Sequence, residues 1–159
     1  MTFLGKLGWL LSLVLGIILI GMGYLFIVKG DVDPYVDGRD TINLLPAERD
    51  QVLGEMRGML EAVQLIVESA AAGDMATIES AATAVGMAAT EGESPQLMAK
   101  LPIEFKMLGM STHAAFDDIA ATARDEGDVN AVLEQLGNVM LNCTSCHSGY
   151  RFASSEPGT

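Results

Sequence analysis

The stretch that most restricts what this 159-residue chain can fold into is Leu7 to Val28, an almost uninterrupted apolar run with no charged side chain. As a helix it would be roughly 33 Å long, enough to cross the hydrocarbon core of a bilayer. Trp9 lies near one end and Tyr24 near the other, where interfacial aromatics are expected. A cleaved secretory signal is the alternative, but its apolar region is usually shorter and is followed by a small-x-small site. Here the run ends in Leu25-Phe26-Ile27-Val28-Lys29-Gly30-Asp31, so residues 1–29 are expected to form a retained transmembrane signal-anchor. Ser12 and Gly16 make a small-xxx-small step at which another helix can approach closely, a weak signal in a glycine-rich span.

Beyond the span there is room for one domain of ordinary size. The formal net charge is −12, and Lys6 and Lys29 flank the span, so the remainder carries seven Lys/Arg against all 21 Asp/Glu. Nucleic acid is excluded as a partner on charge grounds, and anionic lipid surfaces are disfavoured. A basic protein partner and plain solubility both suit such a surface. Aromatics are few while alanine, glycine and methionine are plentiful, which favours closely packed helices. No stretch shows sustained period-2 alternation bounded by hairpin signals.

Residues 30–45, with Gly30, Pro34 and Gly38 among aspartates, are expected to form a flexible acidic linker that lets the domain move above the membrane. Four helical segments are expected over 46–152. The first opens at Pro46, with Glu48 and Asp50 suiting the positive end of the helix dipole. Its apolar positions Val52, Leu53, Met56, Met59, Leu60, Val63, Ile66 and Val67 recur at three- and four-residue steps. The second covers about 75–90 and is alanine-rich, until Glu91-Gly92-Glu93-Ser94-Pro95 breaks the pattern. The third runs from Pro102 to about Glu126, with Gly127 as its stop and Phe105, Leu108, Phe116 and Ile119 on its inner side. Asp128 caps the fourth, whose Val132, Leu133, Leu136, Val139 and Met140 lead to Cys143. Residues 153–159 read as a disordered tail. The expected fold is all-α: an antiparallel four-helix bundle preceded by one N-terminal transmembrane helix.

The fourth helix ends in Cys143-Thr144-Ser145-Cys146-His147, the spacing of a c-type haem attachment site. Each thiol adds across one haem vinyl group, and the histidine binds the iron. On a helix, residues three and four apart share a face, so all three side chains can project toward one porphyrin. A structural zinc site needs four ligands, and the chain has two cysteines and two histidines, His113 lying far from the motif. A thioredoxin-like pair should sit beside a βαβ pattern, which is not seen. A disulfide in an exported protein gives no reason for the adjacent histidine. One covalent haem c is therefore expected. Its attachment occurs on the outer side of the bacterial cytoplasmic membrane, and the slight basic bias at the amino terminus agrees with a single-pass inner-membrane protein whose haem domain is periplasmic.

A helical bundle with this motif in its last helix resembles the cytochrome c′ family, the class II c-type cytochromes. The local match is Cys143-x-x-Cys146-His147-x-x-Tyr150-Arg151, and the resemblance covers about 46–152. It implies His147 as the proximal ligand and a distal side formed by the first helix. In typical members that side is apolar over an open iron position; in low-spin relatives it supplies methionine. Met56-Arg57 looks like the family's Met-Lys step, yet the residue four before Met56 is Val52, and counting from Arg49 selects Leu53. The sixth position stays open among Met56, Met59, His113 and no protein ligand, with Met56 the tentative distal choice. Asp117, one turn from His113, is its expected hydrogen-bond partner, and a partly buried structural histidine is the ordinary alternative to iron ligation. Arg151 can tune the iron by its charge or simply face solvent, and Arg49 and Arg57 are further propionate partners.

The resulting expectation is a membrane-tethered electron carrier, without enzymatic activity, that serves redox proteins or belongs to a larger respiratory or photosynthetic membrane complex. A five-coordinate protein binding nitric oxide or carbon monoxide is the second reading. Family members often dimerise, so a homodimer is also open.

Overall fold

The computed structural model describes residues 3–154, and over them the chain is mostly helical. The helices are α1 (Phe3–Gly23), α2 (Pro46–Ala72), α3 (Met75–Ala84), α4 (Pro95–Lys100), α5 (Ile103–Asp125) and α6 (Val129–Gly149). A π-helical turn over Tyr24–Lys29 extends α1, and a 3-10 turn over Met87–Thr90 comes after α3. Three short strands complete the fold: β1 (Val32–Pro34), β2 (Asp40–Leu44) and β3 (Tyr150–Ser154).

The apolar helix from Gly8 to Lys29 is long enough to cross a membrane, and none of it is buried against the rest of the chain. The large apolar side chains from Trp9 to Val28 are 43–75 % exposed, so the span projects away from the domain.

Sequence signals set the helix ends. Pro46 opens α2, and Glu48 reaches back so that its Oε2 accepts the Leu45 N–H at 2.8 Å. Gly73 closes α2 in the left-handed conformation, and Asp74 caps α3 by accepting the Thr77 N–H. Gly127, at φ +65°, lies just past the end of α5, and Asp128 caps α6 through the Asn130 N–H at 2.8 Å. One core joins Ala62, Ile66 and Ala70 of α2 to Ile78, Ala81 and Ala82 of α3, with Phe116, Ile119, Ala120 and Ala123 of α5 and Val132, Leu136 and Val139 of α6. The alanines let these helices approach closely, while fully buried Phe116 and Ile66 each contribute about 2 kcal/mol by leaving water.

The segment expected to run to residue 90 as one helix stops at Ala84. Gly86 approaches the Asp117 carboxylate so closely that a β-carbon there would collide with it. Asp117 accepts the Met87 N–H at 2.9 Å and so belongs to this turn; it is not the partner of His113. The His113 imidazole is buried, and its Nδ1–H donates to the Val85 carbonyl at 2.8 Å. Ser94-Pro95, read as a break, is the N-cap and first residue of α4.

The larger departure is the segment 30–45. It forms β1 and β2, paired antiparallel with Val32 opposite Ile42, and β2 pairs in parallel with β3. Ile42 and Leu44 are fully buried in a second core with Val52, Leu97, Leu101 and Phe105. Alternation over only Ile42 and Leu44 is too short to signal a strand, and its partner β3 lies more than 100 residues away. Ala153 and Ser154, assigned to the tail, extend β3 opposite Asn43 and Leu44. Ser155 to Thr159 lie outside the described residues.

Glu48 ties the two ends of this second core together, because it also accepts from the Lys100 ammonium at 2.6 Å. Burial raises its pKa, but the Lys100 and Leu45 hydrogen bonds outweigh this and hold it below the usual carboxylate value. A carboxyl with a lowered folded-state pKa stabilises the fold above its unfolded pKa and loses that effect as pH falls. Thermal unfolding should therefore show a loss of stability on acidification through pH 4 and below that is smaller in Glu48→Gln, with the variant less stable at pH 7 by about 1–3 kcal/mol. An unchanged midpoint at pH 7 would contradict the role given to Glu48.

Gly86 gives a second check. Gly86→Ala should displace Asp117 from the Met87 amide and lower stability by about 1–3 kcal/mol. Gly86→Ala combined with Asp117→Ala, which removes the obstructing carboxylate, should cost less than the sum of the two single changes.

Candidate functional site

The apolar stripe of α6 does not stop at Val139. Seven residues past Leu136 and Val139 come Cys143 and Cys146, so both thiols continue the inward face of the helix. Both are free and partly buried, and Cys146 packs against the second core beside Met56, Tyr150 and Phe152. His147 stands next, in the last helical turn, and is exposed. Gly149 ends the helix, Tyr150 turns extended, and β3 begins at once.

Cys146 and His147 line a cleft of about 200 Å³ whose other walls are Arg39, Arg49, Leu53, Met56, Phe105, Tyr150, Arg151 and Phe152. Helix α2 supplies Arg49, Leu53 and Met56 from its first turns, α5 supplies Phe105, and the sheet supplies the rest. Phe105 meets the Tyr150 ring edge-on at 5.4 Å and the Phe152 ring at 5.8 Å, which fixes the strand side of the cleft.

Of the residues singled out in the sequence, Met56, Arg49, Leu53 and Arg151 thus share the cleft with Cys146 and His147. Cys143 lies one turn earlier on the same helix and is not among the lining residues. Met59 packs against the first core, His113 is held by Val85, and Arg57 is exposed outside the cleft. Sequence reasoning missed Arg39, because it stood in a segment read as linker. The Asp37-Gly38-Arg39-Asp40 turn was visible, but the alternation after it, Thr-Ile-Asn-Leu, is too short to announce a strand by itself.

Three of the five arginines therefore converge on one cleft in a chain of net charge −12. Arg39 is oriented by the Asp37 carboxylate, to which Nη2 and Nε donate at 2.7 and 3.0 Å. The Arg151 guanidinium lies 3.7 Å over the centre of the Tyr35 ring, a cation–π contact. The cleft thus brings one thiol and an imidazole from a single helical turn, with Cys143 one turn behind, against an apolar and thioether wall and three guanidinium groups, chemistry compatible with a flat apolar group bearing acidic edges.

Neither thiol is activated by its surroundings. Burial pushes the Cys146 thiol up to about 11, with the neighbouring Cys143 adding to the effect, and burial also raises Cys143. Both stand near the C-terminal end of α6, where the helix dipole disfavours an anion, opposite to the environment of reactive dithiol motifs.

Comparison with protein-family models, curated proteins and solved structures returns no match to this chain.

With both thiols free, alkylation by iodoacetamide at pH 7 should be slow. The rate should climb with pH as thiolate forms, and Cys146 should lag behind Cys143 and keep accelerating to about pH 11. Rapid alkylation of Cys146 at neutral pH would contradict its burial.

Proposed function

We propose that the chain is a membrane-anchored c-type cytochrome that carries electrons through a single haem. In this reading α2, α3, α5 and α6 form an antiparallel four-helix bundle, resembling the cytochrome c′ family, and α1 holds it on the periplasmic face of a bacterial inner membrane. The observation that carries the reading is the meeting of Cys146 and His147 with Met56 and three arginines in one cleft.

Bound there, haem supplies one-electron exchange at its iron. Cys143 and Cys146 hold it through thioethers, and His147 binds the iron from α6. Arg39, Arg49 and Arg151 bring positive charge for its two carboxylates. Phe105, Tyr150 and Phe152 close one side to water. Met56 on α2 is the distal ligand in this reading, while Met59 and His113 are occupied elsewhere in the fold. Its partners in this reading are redox proteins, with membership of a larger respiratory or photosynthetic membrane complex as one form of that partnership.

Leu53 stands one turn before Met56 in the same wall. It supports the second reading, an open distal position that binds nitric oxide or carbon monoxide.

Optical spectra of the purified full chain, oxidised and reduced, with and without carbon monoxide, separate the two. The carrier reading expects a low-spin spectrum unaffected by carbon monoxide, converted to a high-spin, carbon monoxide-binding form in Met56→Ala. A wild-type ferrous form that binds carbon monoxide readily would favour gas binding. A low-spin spectrum that survives Met56→Ala would remove Met56 as ligand.

A further inference from the structure

Among the described residues, the domain is tightly fastened to the last turn of the apolar helix. Gly30, at φ +69°, lies so close to Lys100, Leu101 and Pro102 that an added β-carbon would fall 2.8 Å from the Pro102 nitrogen and 2.9 Å from the Leu101 carbonyl carbon. Only glycine fits both that backbone conformation and that approach. The next residue continues the fastening: the Asp31 N–H donates to the Lys100 carbonyl at 2.8 Å, and the Asp31 carbonyl accepts the Asn43 N–H at 3.0 Å. The Asn43 side-chain amide donates to the Asp33 carboxylate at 2.9 Å. From α5, the Lys106 ammonium donates to the Ile27 carbonyl at 3.4 Å.

The cleft lies at this same end of the domain. Phe105, a cleft wall, is the residue before Lys106. Helix α6 delivers Cys146 and His147 to the end where α5 begins, and β3 then pairs along β2, whose Asn43 is bonded to Asp31. All three lysines after Lys6 sit here: Lys29 at the end of the span, Lys100 in α4 and Lys106 in α5. Their acidic neighbours Asp31, Glu48 and Glu104 leave the face mixed, in contrast to the acidic remainder of the domain.

We infer that the domain does not swing on its anchor. Span and domain form one rigid unit that holds the Cys146–His147 cleft at the height of the lipid headgroups, and the redox partner is a protein embedded in the same membrane that meets the cleft from the side. The inference rests on the membrane and haem reading above. A cleft within a turn or two of the span exit has the bilayer beneath it, which restricts approach by a large soluble protein. A partner moving in the same plane meets it in a fixed orientation, without the ordering cost of a flexible tether at each encounter.

Two measurements on the full chain test this. A nitroxide is attached through a ketone-bearing unnatural residue at the position of Met107 or Glu126, about 28 Å apart along α5, which leaves Cys143 and Cys146 unlabelled, after reconstitution in phosphatidylcholine vesicles containing a nickel-chelating lipid. Relaxation enhancement at 107 should exceed that at 126 several-fold, and Gly30→Val or a six-residue Gly/Ser insertion after Gly30 should even the two out. Equal enhancement in the unmodified span would overturn the rigid placement. Second, the rate of haem reduction is measured in washed native membranes supplied with a respiratory reductant. Reduction should need no soluble fraction and should fall at least tenfold with the insertion. Dependence on added periplasmic extract, or an unchanged rate with the insertion, would overturn the same-membrane partner. If no haem is attached, the cytochrome reading fails while the nitroxide comparison still decides the placement.

Discussion

The structure depends on the parallel pairing of β2 with β3. Strand β2 precedes the first domain helix and β3 comes after the last, so this one ladder joins the two ends of the helical domain. It sets Tyr150 opposite Asp40 and Arg151 opposite Thr41, directly after the Cys143–His147 turn. Without it, Arg39 and Arg151 would have no reason to share a cleft with residues of α2, and the end of α6 would fray. The same ladder carries load in the other direction, because β1 pairs with β2 and leads back through Asp31 and Gly30 to the span. A short sheet thus connects the apolar anchor, the helical core and the cysteine motif.

Burial explains why so small a sheet holds. Ile42 and Leu44 are completely enclosed, and Phe105 packs edge-on against Tyr150 and Phe152 from the opposite side. Fully burying two aliphatic side chains contributes about 3–6 kcal/mol, more than the few hydrogen bonds of a three-stranded ladder are expected to add. Cys146 and Met56 lie at the margin of this second core. Both also line the cleft, so the cleft is an extension of the core and not a loop laid on it.

Much of the helical part was legible from the sequence. Pro46, Gly73, Gly127 and Asp128 mark ends that backbone sterics and unsatisfied amides dictate locally, and the α2, α5 and α6 stripes repeat over many turns. The long apolar helix was legible for the same reason: its signal is long and continuous. Apart from Ser94-Pro95, a local cap and helix start read as a break, the failures are non-local. Alternation in β2 involves two apolar residues, and nothing near residue 42 announces a partner at residue 152. His113 has an acidic neighbour one turn away, yet a carbonyl contributed from outside its own helix captures it. In the site, the motif spacing singled out Cys143, Cys146 and His147, of which Cys146 and His147 line the cleft, and the family resemblance singled out Met56 and Leu53, which line it too. Arg39 could not be found that way, because its position depends on the sheet.

The cytochrome reading turns on whether Cys143 and Cys146 carry a covalently bound haem. The most direct measurement is the intact mass of the full chain, made in cells equipped for haem attachment and analysed under denaturing conditions. One haem should be retained per chain, held by a single thioether in Cys143→Ser or Cys146→Ser and lost in the double variant. A chain of unmodified mass, or one lighter by the two hydrogens of a disulfide, would contradict the reading.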